Sequence, residues 1–328
     1  MSGGSPKLAQ VLAPVQEGMQ RMREVLAHQV QESSPAVRDM TDHVGRFQGK
    51  QLRAALVLLS GEATGNSTDE HATIAAIVEM IHLATLVHDD ILDGAQVRRR
   101  VACVNQRWDN PTAVLLGDFL YARAFALSTD LSSRLCSRLL AETTRRICVG
   151  EIEQSSGRYD FEMSAERYEA IAGAKTANLY AAACELGARY PGGHEETGAE
   201  MRAFGWEVGL AFQIVDDCLD LTATEAELGK SVGTDVEDGK VTLPVLFTYR
   251  AAAETVRAQI RDLFTLPGLH GRAQLLREAC DLGPGVDHAQ RRAAELLERA
   301  RSRLADFEPG PARASLEDLS RFVLDRTW

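Results

Sequence analysis

Apolar residues recur at three- and four-residue spacing along most of this 328-residue chain, which is typical of helices with one buried face. Proline is absent from residues 36–110, 112–190 and 192–243, so long helices are not interrupted there. We find no extended alternation of apolar and polar residues, which is the pattern of a half-buried strand. The chain is therefore predicted to be all-α.

Turn-forming residues separate the helical segments at residues 61–67, 110–111, 191–193, 230–240, 267–268 and 283–285. None of these places has the length or composition of an interdomain linker. We therefore predict a single-domain bundle of antiparallel helices around a central elongated cavity. This domain is placed at residues 16–328, and residues 1–15, which are mostly small or polar, are expected to be flexible.

Two segments inside apolar helices carry the same acidic pattern, Asp-Asp-x-x-Asp. The pattern comprises Asp89, Asp90 and Asp93 in the first segment and Asp216, Asp217 and Asp220 in the second. Residues three and four apart lie on one face of a helix, so each triplet is expected to present clustered carboxylates. Such groups are disfavoured in apolar surroundings unless they are paired or bind cations. One match is equally typical of a solvated acidic helix end, but two copies favour a metal-binding function.

Two metal chemistries fit paired acidic helices. Di-iron carboxylate proteins place a Glu-x-x-His on each of two helices, and Glu79 with His82 matches this pattern once, without a second copy. Mg²⁺ instead takes oxygen ligands from a few carboxylates and from substrate phosphates, and phosphates attract basic side chains. Basic residues do accompany the acidic motifs: Lys50, Arg53, Arg98, Arg99, Arg100, Lys175, Lys230 and Lys240. The sequence therefore favours a magnesium-dependent enzyme that acts on a phosphorylated substrate.

The overall composition excludes several other functions. The net charge is -11 and the pI is about 5.3, which argues against nucleic acid or an anionic membrane surface as the main partner. The six cysteines are scattered without a Cys-x-x-Cys pair, so neither a zinc site nor a disulfide framework is indicated. No apolar run approaches the roughly 18 residues of a membrane span, and the N-terminus lacks a signal core. We expect a cytoplasmic protein without an integral membrane segment.

Six motifs, in order along the chain, resemble those of the trans-isoprenyl diphosphate synthases, or polyprenyl synthetases. They are the histidine-containing first acidic motif (82–93) with its following arginines, Ala-Val-Leu-Leu-Gly-Asp-Phe (113–119), Gly-Glu-Ile-Glu-Gln (150–154), Lys-Thr-Ala (175–177), Phe-Gln-x-x-Asp-Asp-x-x-Asp (212–220), and the segment 229–244. The resemblance extends from about residue 46 through the C-terminal helices. It implies an isoprenoid-synthase-type fold, a homodimer, and an enzyme of the medium- to long-chain type.

The resemblance also implies a role for each matching position. Mg²⁺, about three ions per site, would be bound directly by Asp89, Asp93 and Asp216, with Asp90, Asp217 and Asp220 completing the shells. The allylic diphosphate would be bound by Arg98, Lys175, Gln213, Lys230 and Lys240. Isopentenyl diphosphate would be bound by Lys50, Arg53, His82 and Arg99. Thr176 would position the allylic chain and its developing cation, and the six aspartates and Lys175 would be catalytic.

The implied reaction is the head-to-tail (1'-4) condensation of isopentenyl diphosphate with an allylic diphosphate such as farnesyl or geranylgeranyl diphosphate. The metal and the lysines would stabilise the leaving diphosphate, so that the allylic C–O bond ionises and the isopentenyl double bond attacks the cation. A short-chain synthase is an alternative. A class I terpene cyclase usually mixes Asn, Ser or Thr with Glu in its second motif, and a non-catalytic subunit of a two-component synthase would normally have lost acidic ligands.

Two places depart from the family pattern. The usual Gly-Gly-Lys-Arg-Leu-Arg-Pro has Gln51 and Ala54 in place of its first arginine and its proline. After Arg98 and Arg99, a glycine and a proline are replaced by Arg100 and Ala102. We expect Gln51 and Arg100 to alter the affinity for isopentenyl diphosphate.

Product length is expected to depend on the residues below the first acidic motif. Ala84 and Thr85 lie five and four residues before Asp89, where short-chain members often carry aromatic residues. An open floor there predicts products longer than farnesyl and geranylgeranyl diphosphate. The deeper obstacles that would stop elongation are Met80, Ile81, Tyr121 and Phe125. The alternative is that Ala84 serves only helix packing.

Overall fold

The computed structural model describes residues 8–31, 34–47, 49–98, 101–223 and 232–324. Within these ranges the α-helices are α1 (Leu8–Val11), α2 (Gln16–Val30), α3 (Pro35–Val44), α4 (Leu52–Ala63), α5 (His71–Leu92), α6 (Val104–Arg107), α7 (Asn110–Thr129), α8 (Leu135–Ser156), α9 (Ala165–Ala172), α10 (Asn178–Arg189), α11 (Glu195–Thr222), α12 (Thr234–Glu237), α13 (Leu243–Ala251), α14 (Glu254–Thr265), α15 (Arg272–Ala279), α16 (Gly283–Arg303) and α17 (Pro311–Leu324). Short 3₁₀ turns are Ala13–Val15, Gly45–Phe47 and Leu304–Asp306, and a π-helical segment is Gly173–Ala177. The all-α prediction is confirmed.

The two helices that carry the acidic motifs, α5 and α11, lie in the interior of the bundle. α5 packs against α2, α4 and α7, whereas α11 packs against α10 and α16. Both are apolar on most sides, and most of their side chains are buried. Helices α4 and α10 also pack together, so the two halves share one core. This arrangement lets the polar ends of α5 and α11 open on a common cavity.

The folded part of the chain begins earlier than the predicted boundary at residue 16. Leu8–Val11 and Ala13–Val15 are helical, and they pack against the C-terminal helix α17. Val11 and Val15 are buried. These two valines are four residues apart, so they form a short apolar face. The mostly small and polar composition of the segment does not reveal this face.

A short antiparallel hairpin follows α5, although no strand is predicted. Its strands are β1 (Val97–Arg98) and β2 (Val101–Ala102), with Val97 opposite Ala102. Strands of two residues are too short to show the alternation on which a strand prediction depends. The hairpin is tied to α3, because a ring nitrogen of His43 lies 2.7 Å from the Ala102 carbonyl oxygen. The hairpin carries Arg98 back towards the end of α5.

The π-helical segment fits closely against α8. A Cβ atom added at Gly150 would lie 2.8 Å from the backbone nitrogen of Lys175, so only glycine allows this approach. A π-helical turn is uncommon and is found most often at functional sites. Here it carries Lys175 and Thr176 on the wall of the cavity.

In the described part of the chain, α5 is long and apolar enough to cross a membrane by length and composition. Within the 18-residue window that meets this test, 78% of the residues are buried inside the protein. Core helices of globular proteins meet the same test.

Candidate active site

A cavity of about 1050 Å³ opens between α4, α5, α8, α9, the π-helical segment, α11 and α12. The predicted site residues that line it are Lys50, Arg53, His82, Thr85, Asp89, Asp93, Arg98, Lys175, Thr176, Gln213, Asp216, Asp217, Asp220 and Lys240. Arg99, Arg100 and Lys230 lie outside the described residues. The structure therefore brings together most of the residues that the sequence analysis selects, although they span almost 200 positions of the chain.

The side chains of the first acidic motif point in two different directions. Successive residues of an α-helix are rotated by about 100°, so Asp93 lies within about 40° of Asp89, whereas Asp90 points elsewhere. Asp89 and Asp93 line the cavity, but Asp90 is buried outside it and accepts hydrogen bonds from Arg98 Nε and Nη2 at 2.8 and 2.7 Å. The expectation that Asp90 completes a metal shell is not supported by this geometry. Asp90 instead holds Arg98 at the cavity wall.

Asp89 lines the same cavity as a lysine and a second carboxylate, Lys175 and Glu151. Lys175 Nζ lies 2.8 Å from Glu151 Oε1 and donates to Gln154 Oε1 at 3.0 Å. Burial raises the pKa of Asp89 to about 7, and the negative charges of Glu151 and Asp93 add to the rise while Lys175 opposes it. Burial alone would lower the pKa of Lys175, but Asp89 and Glu151 raise it above its ordinary value. The wall therefore carries a surplus of negative charge that a cation would stabilise.

The second acidic motif holds the segment that follows α11. Asp220 accepts hydrogen bonds from Thr234 N, Thr234 Oγ1 and Asp235 N at 3.3, 3.2 and 3.1 Å, at the start of α12. Asp217 is buried, and burial together with the charge of Asp235 raises its pKa well above the usual range. Asp216 lines the cavity beside them. Asp220 thus has an additional role, because it positions the segment that contributes Asp235 and Lys240.

Lys240 joins the two acidic walls. Its Nζ atom lies 2.9 Å from Asp93 Oδ1, 3.1 Å from Asp238 Oδ2 and 3.6 Å from Asp235 Oδ1. Although burial lowers the pKa of Lys240, the three carboxylates raise it well above its ordinary value. The ammonium group therefore sits where one positive charge balances carboxylates from opposite sides of the cavity.

Metal binding by the two triplets stays a prediction. In the part of the chain that the structure describes, no three His, Cys, Asp or Glu side chains are close enough together to hold a metal ion by themselves. In the first triplet, the helical rotation between successive residues turns Asp90 away from Asp89. The aspartates instead face each other across a cavity, and Mg²⁺ characteristically combines one or two carboxylates with waters and substrate phosphates. The donor set and its excess negative charge fit such ions.

A second basic cluster lies at the start of α4. Arg53 Nη1 is 3.1 Å from His82 Nε2, and the Arg53 guanidinium lies 4.4 Å from the centre of the Tyr180 ring. The Lys50 ammonium lies 4.8 Å from the centre of the Phe322 ring, which belongs to α17. Cations held against aromatic faces keep their charge while part of their water shell is removed. These residues form a positive end of the cavity next to the first acidic motif.

Gln51, the main departure from the family pattern, accepts a hydrogen bond from a positively charged side chain of another helix. Its backbone has a φ of 51°, in the left-handed region, and its Oε1 accepts a hydrogen bond from Arg23 Nε at 2.9 Å. Arg23 belongs to α2 and therefore places a guanidinium beside the position where the family has arginine. Nearby, Glu79 Oε1 accepts from Ala54 N at 3.1 Å and caps α4. This contact gives Glu79 a structural role at the start of α4.

Among the six predicted chain-length residues, only Thr85 lines the cavity. Ala84, Met80 and Ile81 are fully buried, and Tyr121 and Phe125 are partly buried without lining the cavity. Ala84 is rotated by about 140° from Asp89 around α5, whereas Thr85 is rotated by about 40°. Because α5 is apolar on almost all sides, hydrophobicity does not show which side faces the cavity. The geometry therefore favours Thr85 as the floor residue one turn below Asp89.

Several polar residues in the cavity wall were not predicted as site residues: Glu151, Gln154, Tyr168 and Asp235. Glu151, Gln154 and Asp235 belong to the family-like segments 150–154 and 229–244, which is the signal that could have identified them. Tyr168 lies outside those motifs and looks like an ordinary apolar position of α9.

Comparison with known proteins settles the family. The sequence pattern of the family described as "Polyprenyl synthetase" matches residues 34–276, which is most of the chain. The chain belongs to the polyprenyl synthetase family. Members of this family are prenyltransferases that use a divalent metal, and the predicted fold, enzyme class and polyprenyl diphosphate synthase function are confirmed.

Individual relatives cover nearly the whole chain. An all-trans-nonaprenyl-diphosphate synthase (geranyl-diphosphate specific) of Rhodobacter capsulatus is 35% identical over 96% of this chain and 97% of its own. Component 2 of the heptaprenyl diphosphate synthase of Geobacillus stearothermophilus is 32% identical over 98% and 100% of the two chains. A polyprenyl synthase from Caulobacter crescentus, solved with calcium and isoprenyl diphosphate, superposes with a TM-score of 0.94 at 30% identity, covering 99% and 100%.

Proposed function

We propose that this enzyme carries out Mg²⁺-dependent, head-to-tail (1'-4) condensation of isopentenyl diphosphate with an allylic diphosphate, and that its all-trans product is longer than geranylgeranyl diphosphate. The observation that carries the proposal is the pair of acidic walls, from α5 and from α11 with α12, facing each other across one cavity that also contains lysines. A diphosphate alone would be repelled by these carboxylates, whereas a diphosphate with Mg²⁺ would be attracted to both walls.

The allylic diphosphate would lie between the acidic walls. Asp89, Asp93 and Asp216 would hold Mg²⁺, which when bound would neutralise the diphosphate and make it a better leaving group. Lys175 and Lys240 lie close to these carboxylates and supply fixed positive charges for the phosphate oxygens. Ionisation of the allylic C–O bond would then leave negative charge on the diphosphate oxygens, which the metal and the lysines would stabilise.

Isopentenyl diphosphate would occupy the positive end of the cavity. Lys50, Arg53 and His82 line this end, and Arg23 adds charge through its contact with Gln51. From there the isopentenyl double bond would attack the allylic cation, and the proton lost afterwards would pass to the released diphosphate. Holding the two substrates side by side lowers the barrier, because orientation is fixed before the reaction.

The proposal of a long product is supported by relatives and by the cavity. The two curated relatives described above are named for nonaprenyl and heptaprenyl products. On the cavity face one turn below Asp89, this chain has Thr85 rather than an aromatic residue. A small side chain there leaves room for a growing prenyl tail.

The proposed function is tested with the purified chain alone, Mg²⁺, radiolabelled isopentenyl diphosphate and each of three primers: geranyl, farnesyl and geranylgeranyl diphosphate. We expect labelled products longer than geranylgeranyl after dephosphorylation and sizing. Products that stop at farnesyl or geranylgeranyl would contradict the chain-length proposal, and cyclised products without isopentenyl turnover would indicate a cyclase. Activity that appears only after a second protein is added would indicate a two-component enzyme.

We also propose that the chain forms a homodimer through α7 and α8. These helices pack against each other and expose large apolar side chains: Val114, Leu115, Val149 and Ile152. Leu115 and Ile152 are 68% and 67% exposed, which is unfavourable in water unless a partner covers them. Sedimentation should give a dimer for the parent protein and a monomer for the Leu115→Glu, Ile152→Glu double variant. A parent protein that sediments as a monomer at micromolar concentration would contradict the proposal.

A further inference from the structure

A buried tyrosine outside the family motifs reaches the second acidic motif. Tyr168 of α9 donates its hydroxyl hydrogen bond to Asp217 Oδ2 at 2.5 Å. The other oxygen, Asp217 Oδ1, accepts from Gln213 Nε2 at 2.7 Å, and Gln213 Oε1 accepts from Thr176 Oγ1 at 2.7 Å. These four side chains form one continuous series of hydrogen bonds, which runs from α9 through α11 to the π-helical segment.

The amide group of Gln213 fixes the direction of the bonds in this series. Its nitrogen can only donate, and it donates to Asp217 Oδ1, while the Tyr168 hydroxyl donates to Asp217 Oδ2. Gln213 therefore turns its amide nitrogen towards Asp217 and its carbonyl oxygen towards Thr176. The Thr176 hydroxyl must then donate to Gln213, and its remaining oxygen lone pairs are free to face the cavity that Thr176 lines.

The orientation of the Thr176 oxygen matters for the reaction under "Proposed function", on which this inference rests. An oxygen lone pair stabilises positive charge that develops nearby, whereas a hydroxyl proton pointing the same way would oppose it. We propose that Tyr168 is a positioning residue for prenyl transfer. Its hydroxyl holds Asp217 in place and, through Gln213, keeps the Thr176 oxygen directed at the allylic cation. Tyr168 does so from outside the reacting groups, because its own hydroxyl is committed to Asp217.

The chain offers a matched control for this hydroxyl. Tyr190 is also buried, and its hydroxyl also donates to a carboxylate, Glu70 Oε2, at 2.8 Å. Tyr190 does not line the active-site cavity. Tyr168→Phe removes a buried hydrogen bond to a carboxylate and keeps the ring. Tyr190→Phe removes a partly buried one together with the contacts of its hydroxyl with Ser132 Oγ and Ser133 N, so it should lose at least as much thermal stability.

The kinetic test compares Tyr168→Phe and Tyr190→Phe with the parent protein. We expect Tyr168→Phe to lower kcat by about 10- to 100-fold, with KM for isopentenyl diphosphate within about 2-fold of the parent value. Tyr190→Phe should keep kcat within about 2-fold, because its hydroxyl lies outside the cavity. A Tyr168→Phe enzyme with kcat within 2-fold of the parent, or equal losses in both variants, would overturn the inference.

A double-variant cycle tests whether Tyr168 acts through Thr176. If it does, Tyr168→Phe combined with Thr176→Val should lower kcat hardly more than Thr176→Val alone, because valine at position 176 has no hydroxyl for Tyr168 to orient. Fold-losses that multiply would show that Tyr168 acts independently, which overturns the inference.

Binding provides a readout without turnover. Calorimetry with an unreactive allylic thiodiphosphate and Mg²⁺ should show affinity weakened by about 5-fold or more in Tyr168→Phe and unchanged in Tyr190→Phe. The reason is that Gln213, which lines the cavity, loses the support that Tyr168 gives it through Asp217. Unchanged affinity in Tyr168→Phe would overturn the role assigned through Asp217. An inactive parent that does not bind the analogue would overturn the proposed function itself, whereas an active parent makes each result specific to Tyr168.

Discussion

From the ion pairs of Lys240 we predict how a substitution there changes the stability of the protein with and without Mg²⁺. Lys240→Met keeps most of the apolar stem and removes the ammonium group that balances Asp93, Asp235 and Asp238. At the observed distances of 2.9 to 3.6 Å, each pair has a gross attraction of about 5 kcal/mol at an effective dielectric constant of 20. Most of this attraction is offset by desolvation, and breaking a buried pair typically destabilises a protein by about 3–5 kcal/mol. Lys240 is only 9% exposed, so that range applies.

We therefore expect the free energy of unfolding in EDTA to fall by about 3–5 kcal/mol in Lys240→Met. Millimolar Mg²⁺ should restore part of the loss, because the released carboxylates can bind the ion that replaces the ammonium charge. Urea unfolding followed by circular dichroism, with EDTA and with Mg²⁺, measures both effects. Arg145→Gln is the control, since its pair with Glu142 is solvent-exposed, and no measurable change is expected there. A loss below about 1 kcal/mol in EDTA, or no greater stabilisation by Mg²⁺ than in the parent, would refute the reasoning.

Substitutions at Thr85, Arg23 and Gly150, the first two with a control variant, test other parts of the site. Thr85→Phe should shorten the labelled products because Thr85 faces the cavity, whereas Ala84→Phe must displace core side chains and should cost about 1–3 kcal/mol of stability; unchanged products in Thr85→Phe would contradict the floor assignment. Arg23→Ala should raise KM for isopentenyl diphosphate about 5-fold or more, because a charged contact is lost, whereas Arg21→Ala, at an exposed position, should leave KM unchanged. Equal KM values in the parent protein and both variants would exclude a role for Arg23. Gly150→Ala should lower both the melting temperature and kcat, because the added methyl group would press on the backbone at Lys175; an unaltered kcat would show that the π-helical segment tolerates displacement.

Much of the site was predictable because its residues lie at fixed spacings on helices. The separation of Asp89 and Asp93 by four residues places both on one face, and the same holds for Asp216 and Asp220. The apolar surroundings of both motifs also indicated correctly that the carboxylates lie inside the bundle. The family resemblance then supplied Lys175, which no spacing rule selects.

Other features depend on contacts that spacing cannot reveal. Asp90 is as acidic as its neighbours, but its partner Arg98 is brought to it by a hairpin whose strands are too short to predict. Ala84 and Thr85 are adjacent in sequence, and only the packing of α5 shows which of them faces the cavity. Tyr168 resembles a core aromatic residue until its hydroxyl is seen to contact Asp217, 49 positions later.

We propose that metal ions join one diphosphate to the two acidic walls of the cavity. Calorimetric titration of the parent protein with an unreactive allylic thiodiphosphate, once with millimolar Mg²⁺ and once with EDTA, measures this bridging. We expect saturable binding with Mg²⁺ and none detectable in EDTA, because the carboxylates alone repel the ligand. Equal affinity under the two conditions would contradict it.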